Sequence, residues 1–146
     1  MTDHITKEKR SWNMSRIRST DSTPERIVRS FLHVNGFRFR NNSAKLPGKP
    51  DIVLTKYKTV IFVHGCFWHR HKICRNNLTP KTNTKYWIKK FETNVNRDKK
   101  TVKLLKKLGW NVIIVWECDV NNKATLNKIN QRLRSIIQIE ELCQNL

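Results

Sequence analysis

Acidic residues are scarce in this chain. Only 11 Asp and Glu stand against 30 Lys and Arg, a formal net charge of +19 over 146 residues. An imbalance of that size is foreign to an ordinary soluble enzyme and implies a polyanionic partner, nucleic acid before a membrane surface. Long apolar runs are missing as well. Nothing approaches the roughly 20 residues that span a bilayer, and no basic segment leads into an apolar one at the start, as a secretion signal would. The expected setting is therefore intracellular and away from membranes. Cysteine is limited to 4 residues, and in a reducing compartment these are better read as thiols or metal ligands than as disulfides. There is no internal repeat and no low-complexity stretch. The length suits one compact domain able to bury a core of layered strands and helices.

What the chain does have is concentrated between His64 and Cys74, in the run His-Gly-Cys-Phe-Trp-His-Arg-His-Lys-Ile-Cys. Cys66, His71 and Cys74 offer sulfur and imidazole at short spacings. A tetrahedral zinc ion would need one more ligand, and Cys118 is the candidate. His69 could take the place of His71, which in either case leaves one histidine for chemistry. The alternative is a set of reduced thiols in a core. Cys143 is left over and is given no role.

Residues 1 to 20 are polar and basic, with Lys7, Lys9, Arg10, Arg16 and Arg18 around the isolated apolar residues Trp12, Met14 and Ile17. Such a segment cannot bury itself. It reads either as a disordered tail or as an arm that orders on a phosphate backbone, with Met14 or Trp12 as an apolar wedge. Ser22-Thr23-Pro24-Glu25 then predicts a helix start, with a hydroxyl cap, proline in the first turn and Glu25 as the capping acid. Ile27, Val28, Phe31 and Leu32 form its apolar face, and Gly36 ends it. Phe37 to Arg40 alternates like a strand. Leu46-Pro47-Gly48-Lys49-Pro50 brings Asp51 to the mouth of a second strand, Ile52-Val53-Leu54, and Val60-Ile61-Phe62-Val63 is a third that could lie beside it in a hairpin.

From about Lys85 to Leu108, Ile88, Phe91, Val95, Val102 and Leu105 recur at helical spacing, and Asp98 falls on the same inward stripe. A carboxylate there requires a partner, and His69 is the natural one. Gly109 stops this helix, Asn111 to Trp116 reads as a fully apolar strand ending at Glu117-Cys118, and Leu126, Ile129, Leu133, Ile136 and Ile137 mark a terminal helix. Trp110 and Trp116 are expected to be half-buried. Together these elements predict an α/β domain with a mixed β-sheet flanked by helices.

Pro50-Asp51 at a strand mouth beside an apolar strand, on a basic surface, suits a nuclease in which a carboxylate holds magnesium against a phosphate. The second acid and the lysine of a restriction-type site are missing, because the third strand ends Phe62-Val63-His64-Gly65. The Val63 carbonyl could supply the other metal oxygen and a histidine the base.

The motifs Leu46-Pro47-Gly48-Lys49-Pro50-Asp51, Val63-His64-Gly65-Cys66-Phe67-Trp68-His69, Asn94-Val95-Asn96-Arg97-Asp98 and Trp116-Glu117-Cys118, together with Asn13-Met14, are carried over most of the chain. On these residues the sequence resembles the very short patch repair (Vsr) DNA mismatch endonucleases. The resemblance implies a restriction-endonuclease-like fold with a structural zinc site, a basic N-terminal arm (1–20) and one endonuclease domain (21–146). It implies nicking of double-stranded DNA 5′ of the thymine in a T·G mismatch left by 5-methylcytosine deamination. It also implies a bacterial, nucleoid-associated monomer working beside a cytosine methyltransferase and mismatch-repair factors. By the same resemblance Asp51 and the Val63 carbonyl bind Mg2+, His69 with Asp98 activates water, His64 contacts the phosphate, and Glu25 stands near the metal's water shell. Cys66, His71, Cys74 and Cys118 match the zinc ligands. Phe67, Trp68 and Trp87 match the intercalating aromatics, Met14 the minor-groove residue, and Lys90 and Asn94 part of the recognition helix.

The chain departs from that pattern twice. Val63 stands where threonine is frequent, so only its backbone oxygen can serve, and the His71 to Cys74 spacing is one residue wider. The competing readings are a zinc-stabilised DNA-binding module without catalysis and a related restriction or homing-type nuclease acting on paired duplex.

Overall fold

The computed structural model describes residues 5–17, 20–75 and 77–146; Arg18 of the basic arm lies outside the described residues. Two strands formed from the runs either side of Tyr57 build the centre of the sheet, because their apolar residues can be covered on both faces. β2 (Ile52–Leu54) and β3 (Thr59–His64) pair antiparallel, with Ile52 opposite Ile61. β1 (Arg40–Asn41) adds antiparallel to β2, and β4 (Asn111–Trp116) adds parallel to β3, with Val63 opposite Val115. The sheet is thus mixed, in the order β1-β2-β3-β4. The expected first strand is shorter than its alternation suggested, because Phe37 turns into the core against Tyr57, ring centroids 5.3 Å apart.

Alternate residues of the strands feed two apolar layers. On one face Ile52, Ile61, Ile113 and Val115 meet α2 (Thr23–Val34) through Val28 and Leu32, and α4 (Lys123–Gln144) through Leu126, Ile129 and Leu133. On the other, Val53, Val60, Phe62 and Val112 meet α3 (Thr84–Lys107) through Leu105 and Val102. α3 is 24 residues, about 36 Å at the helical rise, whereas a six-residue strand such as β3 covers about 20 Å. Its first turns therefore overhang the end of the sheet. This corrects one expectation, since Ile88 sits in the overhang and is exposed. The apolar strand expected from Asn111 to Trp116 is present as β4, at the edge of the sheet, with Asn111 and Ile114 open to solvent. Trp110 and Trp116 are half-buried, as expected.

The basic arm is not without structure. Lys7–Ser15 forms α1, capped by the Thr6 hydroxyl, which accepts from the Lys9 N–H at 3.2 Å, and its residues stay exposed. At α2 the cap also differs from expectation. Ser22 makes no side-chain cap of its own; its hydroxyl donates to Glu25 at 3.0 Å while the Asp21 N–H donates to the other oxygen of Glu25 at 2.9 Å. Arg29 lies against Asp21 at 2.6 Å, which makes this corner a small, partly exposed ionic network around buried Glu25. Among the described residues no helix is long and apolar enough to cross a membrane.

Candidate active site and metal centre

Asp51 immediately precedes β2 because Pro50, itself buried, closes an irregular approach. Gly48 is needed in that approach: its φ is +74°, and a Cβ there would stand 2.3 Å from the Thr101 methyl of α3. The loop is thereby pressed onto α3, and Asp51 is held at both ends. Its carbonyl accepts from the Asn42 N–H at 3.0 Å, and its carboxylate accepts from the Val63 N–H at 2.7 Å. In an extended strand the N–H and C=O of one residue face the same flank, so the Val63 carbonyl looks toward the Asp51 side. The hairpin expected from sequence is formed. Burial, opposed by the Val63 N–H and reinforced by the nearby Glu25 charge, pushes the Asp51 carboxyl up to about 6. A carboxylate under that pressure is eased by a cation, and a hard divalent ion held by carboxylate and carbonyl oxygens fits the donors present.

His64 ends β3 and is buried; His69 stacks on it, with ring centroids 3.8 Å apart and planes within 7°. Burial, followed by the His69 charge, pushes His64 down to about 4, so at neutral pH it is an uncharged imidazole. His69 Nδ1 lies 2.5 Å from Asp98 Oδ2. The inward carboxylate of α3 thus has the partner it required. Burial alone would raise the Asp98 carboxyl, but the hydrogen bond and charge of His69 outweigh it and hold it below the usual range. Glu25, Asp51, His64, His69 and Asp98 all line one cleft of about 820 Å³. Lys49 and Arg97 line it too and were not singled out from sequence, where they were lost among the many basic residues.

One residue separates the two histidine environments. Arg70, between His69 and His71, adopts φ +56°, a left-handed conformation that reverses the chain locally. His71 therefore points away from the cleft. Its Nδ1 is 3.3 Å from Cys118 Sγ and 3.6 Å from Cys66 Sγ, and the donor atoms of Cys66, His71, Cys74 and Cys118 all lie within 4.8 Å of one another. Of the two candidate histidines, His71 is the one whose ring nitrogen lies in this cluster. Burial raises the Cys66 thiol, and lost hydration together with the Cys66 and Cys74 thiols pushes Cys118 up to about 12. Three thiols and an imidazole converging at this range could hold a metal ion, and the donor types suit tetrahedral zinc. Trp116 stacks on His71 at 4.3 Å, and Glu117 accepts from the Cys66 N–H at 2.9 Å, so the end of β4 is fastened to the loop by more than Cys118. Glu117 was missed; its position beside Cys118 was the available signal.

The loop between these sites carries Phe67 and Trp68. They do not stand free, as a metal-held loop alone would allow. Phe67 packs edge-on against buried Phe91 at 5.1 Å and against Trp87 at 5.7 Å, and Trp68 lies 6.0 Å from Trp87. This is the use of the overhang of α3, which carries Trp87 out to the loop. Asn94 donates to the Trp68 carbonyl at 3.2 Å, and the Lys90 ammonium lies 5.7 Å from the Trp68 ring centre. Met14 and Ile17, at the end of α1 and just beyond it, share a smaller cleft of about 490 Å³ with Trp68, His69 and Glu25. Cys143 is exposed on α4, remote in sequence from both clusters.

The comparisons with known proteins follow this geometry. A family model described as DNA mismatch endonuclease Vsr matches residues 2–75. The chain is 48% identical over 137 residues to the type II nicking enzyme V.NmeAIP of Neisseria meningitidis, covering 93% of this chain and 97% of that protein. It is 42% identical over 139 residues to the DNA mismatch endonuclease Vsr of Escherichia coli, covering 94% and 88%. Among solved structures, the catalytic domain of the homing endonuclease I-Bth0305I superposes with a TM-score of 0.51 at 21% identity, over 80% of this chain and 94% of that one, which speaks for the fold. A carboxylate cleft beside a histidine–aspartate pair, a cysteine–histidine knot and an aromatic cluster thus come with this pattern of relatives, and the chain is an endonuclease that belongs to the DNA mismatch endonuclease Vsr family.

Proposed function

We propose that this endonuclease nicks double-stranded DNA 5′ of the thymine in a T·G mismatch, the product of 5-methylcytosine deamination, by magnesium-dependent phosphodiester hydrolysis. The observation that carries the reading is that Asp51 and the His69–Asp98 pair open into one cleft with Trp68, Phe67 and Trp87 gathered next to it. Mg2+ held by the Asp51 carboxylate and the Val63 carbonyl would supply charge neutralisation at the scissile phosphate. The remaining work belongs to side chains. Asp98 fixes the tautomer and orientation of His69, which takes the proton of the attacking water as that oxygen bonds to phosphorus and the sugar oxygen leaves. His64, uncharged and stacked under His69, offers an N–H to a phosphate oxygen. Glu25 contributes negative charge beside Asp51 and is already occupied by the Asp21 and Ser22 donors. Its effect on the metal is thus through the water around it.

Asp98→Asn keeps the shape of the pair but removes the charge that stabilises protonated His69. Single-turnover nicking should slow on the order of 10²-fold, near the low end of general-base effects, with mismatch affinity unchanged. Normal rates would remove His69–Asp98 from the chemistry.

Selectivity for a mismatch follows from deformability. Inserting rings between base pairs costs a few kcal/mol per step and least where a wobble pair already stacks poorly. Phe67, Trp68 and Trp87 supply the rings, Met14 approaches from the minor groove, and Lys90 and Asn94 steady the Trp68 side of the wedge. Trp68→Ala should reduce the preference for T·G over T·A duplex by about tenfold, since one stacked base is worth ~1–3 kcal/mol. Equilibrium binding to both duplexes measures it, and an unchanged ratio would assign the discrimination elsewhere.

The deciding experiment compares nicking of a T·G duplex with its matched T·A control, with magnesium and with EDTA. A nick confined to the mismatch and to magnesium supports the proposal. Binding without a nick would favour a zinc-stabilised binding module, and equal cutting of both duplexes would favour a nuclease of paired DNA. On the same reading, residues 1–20 form a basic DNA-binding arm on the endonuclease domain 21–146. The protein acts as a monomer on the bacterial nucleoid in the cytoplasm, with a cytosine-5 methyltransferase and mismatch-repair factors as its functional associates. Zn2+ held by Cys66, His71, Cys74 and Cys118 is structural.

A further inference from the structure

The sheet stops at β4. One flank of that strand is used by β3, and among the described residues the other carries no ladder. Sheet edges are usually blunted by charge, proline or a bulge within the strand. Here Asn-Val-Ile-Ile-Val-Trp contains no charge or proline, and Ile114 is 39% exposed. Beside this edge, between β4 and α3, lies a cleft of about 490 Å³ with an apolar floor of Val95, Ile114 and Trp116 and a rim of Lys99, Lys103 and Lys106. The lysines recur at helical spacing and so share one face of α3. Neither Asp51, Glu25 nor Lys49 lines this cleft.

The chemistry of the cleft narrows its occupant. A duplex would use the lysines but gain nothing from the apolar floor, and its phosphates, being acceptors only, cannot satisfy the alternating N–H and C=O groups of a strand edge. A second copy of this chain is disfavoured by the +19 charge each copy would carry. An extended polypeptide with alternating apolar and acidic residues uses all three features: main-chain pairing to the free flank, apolar contact with the floor, and carboxylates against the rim. We propose that the β4 edge and its cleft dock an acidic extended segment of a protein partner, which adds to the sheet as a fifth strand. Because His69 and Asp98 form a wall of the same cleft, such a partner would touch the histidine–aspartate pair from the side away from Asp51.

The probe is a fluorescently labelled peptide of alternating valine and glutamate, titrated with the full-length protein and read by fluorescence anisotropy. Its control is the same peptide N-methylated at alternate amides, which keeps every charge and side chain but cannot pair along a strand. Binding of the first at least about tenfold tighter than the second is expected, as is a similar loss in Ile114→Lys or in the Lys103→Glu, Lys106→Glu double variant. Both substitutions fall on exposed positions, and circular dichroism checks that they fold. Equal binding of the two peptides would reduce the effect to bulk charge and overturn the proposal. Peptide binding untouched by all the substitutions would overturn it too, as would complete displacement by a duplex that binds the Ile114→Lys protein normally.

Discussion

Asp51→Ala is expected to lower the single-turnover nicking rate by at least about 10³-fold, equivalent to about 4 kcal/mol of transition-state stabilisation, while leaving affinity for a T·G duplex within a few-fold. The asymmetry follows from position. In the proposed mode affinity comes from phosphate contacts of the basic surface and from the rings of the loop, none of which depends on the carboxylate. In the proposed mechanism catalysis depends on it twice, as a donor to the metal and as the group that fixes Val63, through the 2.7 Å hydrogen bond. The second role complicates the variant, because alanine leaves the partly buried Val63 N–H without its acceptor, a loss of about 1 kcal/mol in stability. Asp51→Asn separates the two. Its amide oxygen can still accept from Val63, so stability should be close to that of the parent while nicking remains lost. Nicking retained in either folded variant would exclude the carboxylate as a metal ligand.

Cys118→Ala should lower zinc content from one ion per chain toward none and reduce unfolding free energy by at least about 3 kcal/mol, as loss of a structural metal ligand does. At this chain length that corresponds to a fall in Tm of roughly 10 °C. The cluster joins two segments distant in sequence, the loop after β3 and the end of β4, with His71 Nδ1 only 3.3 Å from Cys118 Sγ. Opening it releases the loop that carries Phe67, Trp68 and His69. Nicking should therefore fall along with stability, although no group in the cleft has been altered. Unchanged zinc content, measured by elemental analysis of the dialysed protein, would strike Cys118 from the ligand set.

How much of this was legible in the sequence depended on whether a residue's role was local. α2, α3, α4 and the central strands announce themselves through period, because each buries one stripe or both faces. Asp51 beside Val63 could be inferred because two short strands joined by a tight turn leave little choice of partner. The pairing of His69 with Asp98 was legible for another reason: a carboxylate on an apolar stripe has to be neutralised. The exposed Ile114 was not legible, since an apolar strand reads as buried whether it lies at the centre or the edge of a sheet, and only strand order distinguishes them. Likewise α1 has no apolar face to betray it and is fixed by the local Thr6 cap. Glu117 escaped because its partner is a backbone N–H 51 positions earlier, which no side-chain pattern records.

The left-handed turn at Arg70 bears on the wider His71 to Cys74 spacing. Because the chain changes direction there, His69 stands before the pivot and is held from outside the loop, by the stack on His64 of β3 and the bond to Asp98 of α3. Length added after it would be taken up between His71 and Cys74, where the Cys74 N–H reaches the His71 carbonyl at 3.3 Å. The same hinge that divides the cleft histidine from the cysteine cluster would thus let the segment after it change length without shifting the segment before it.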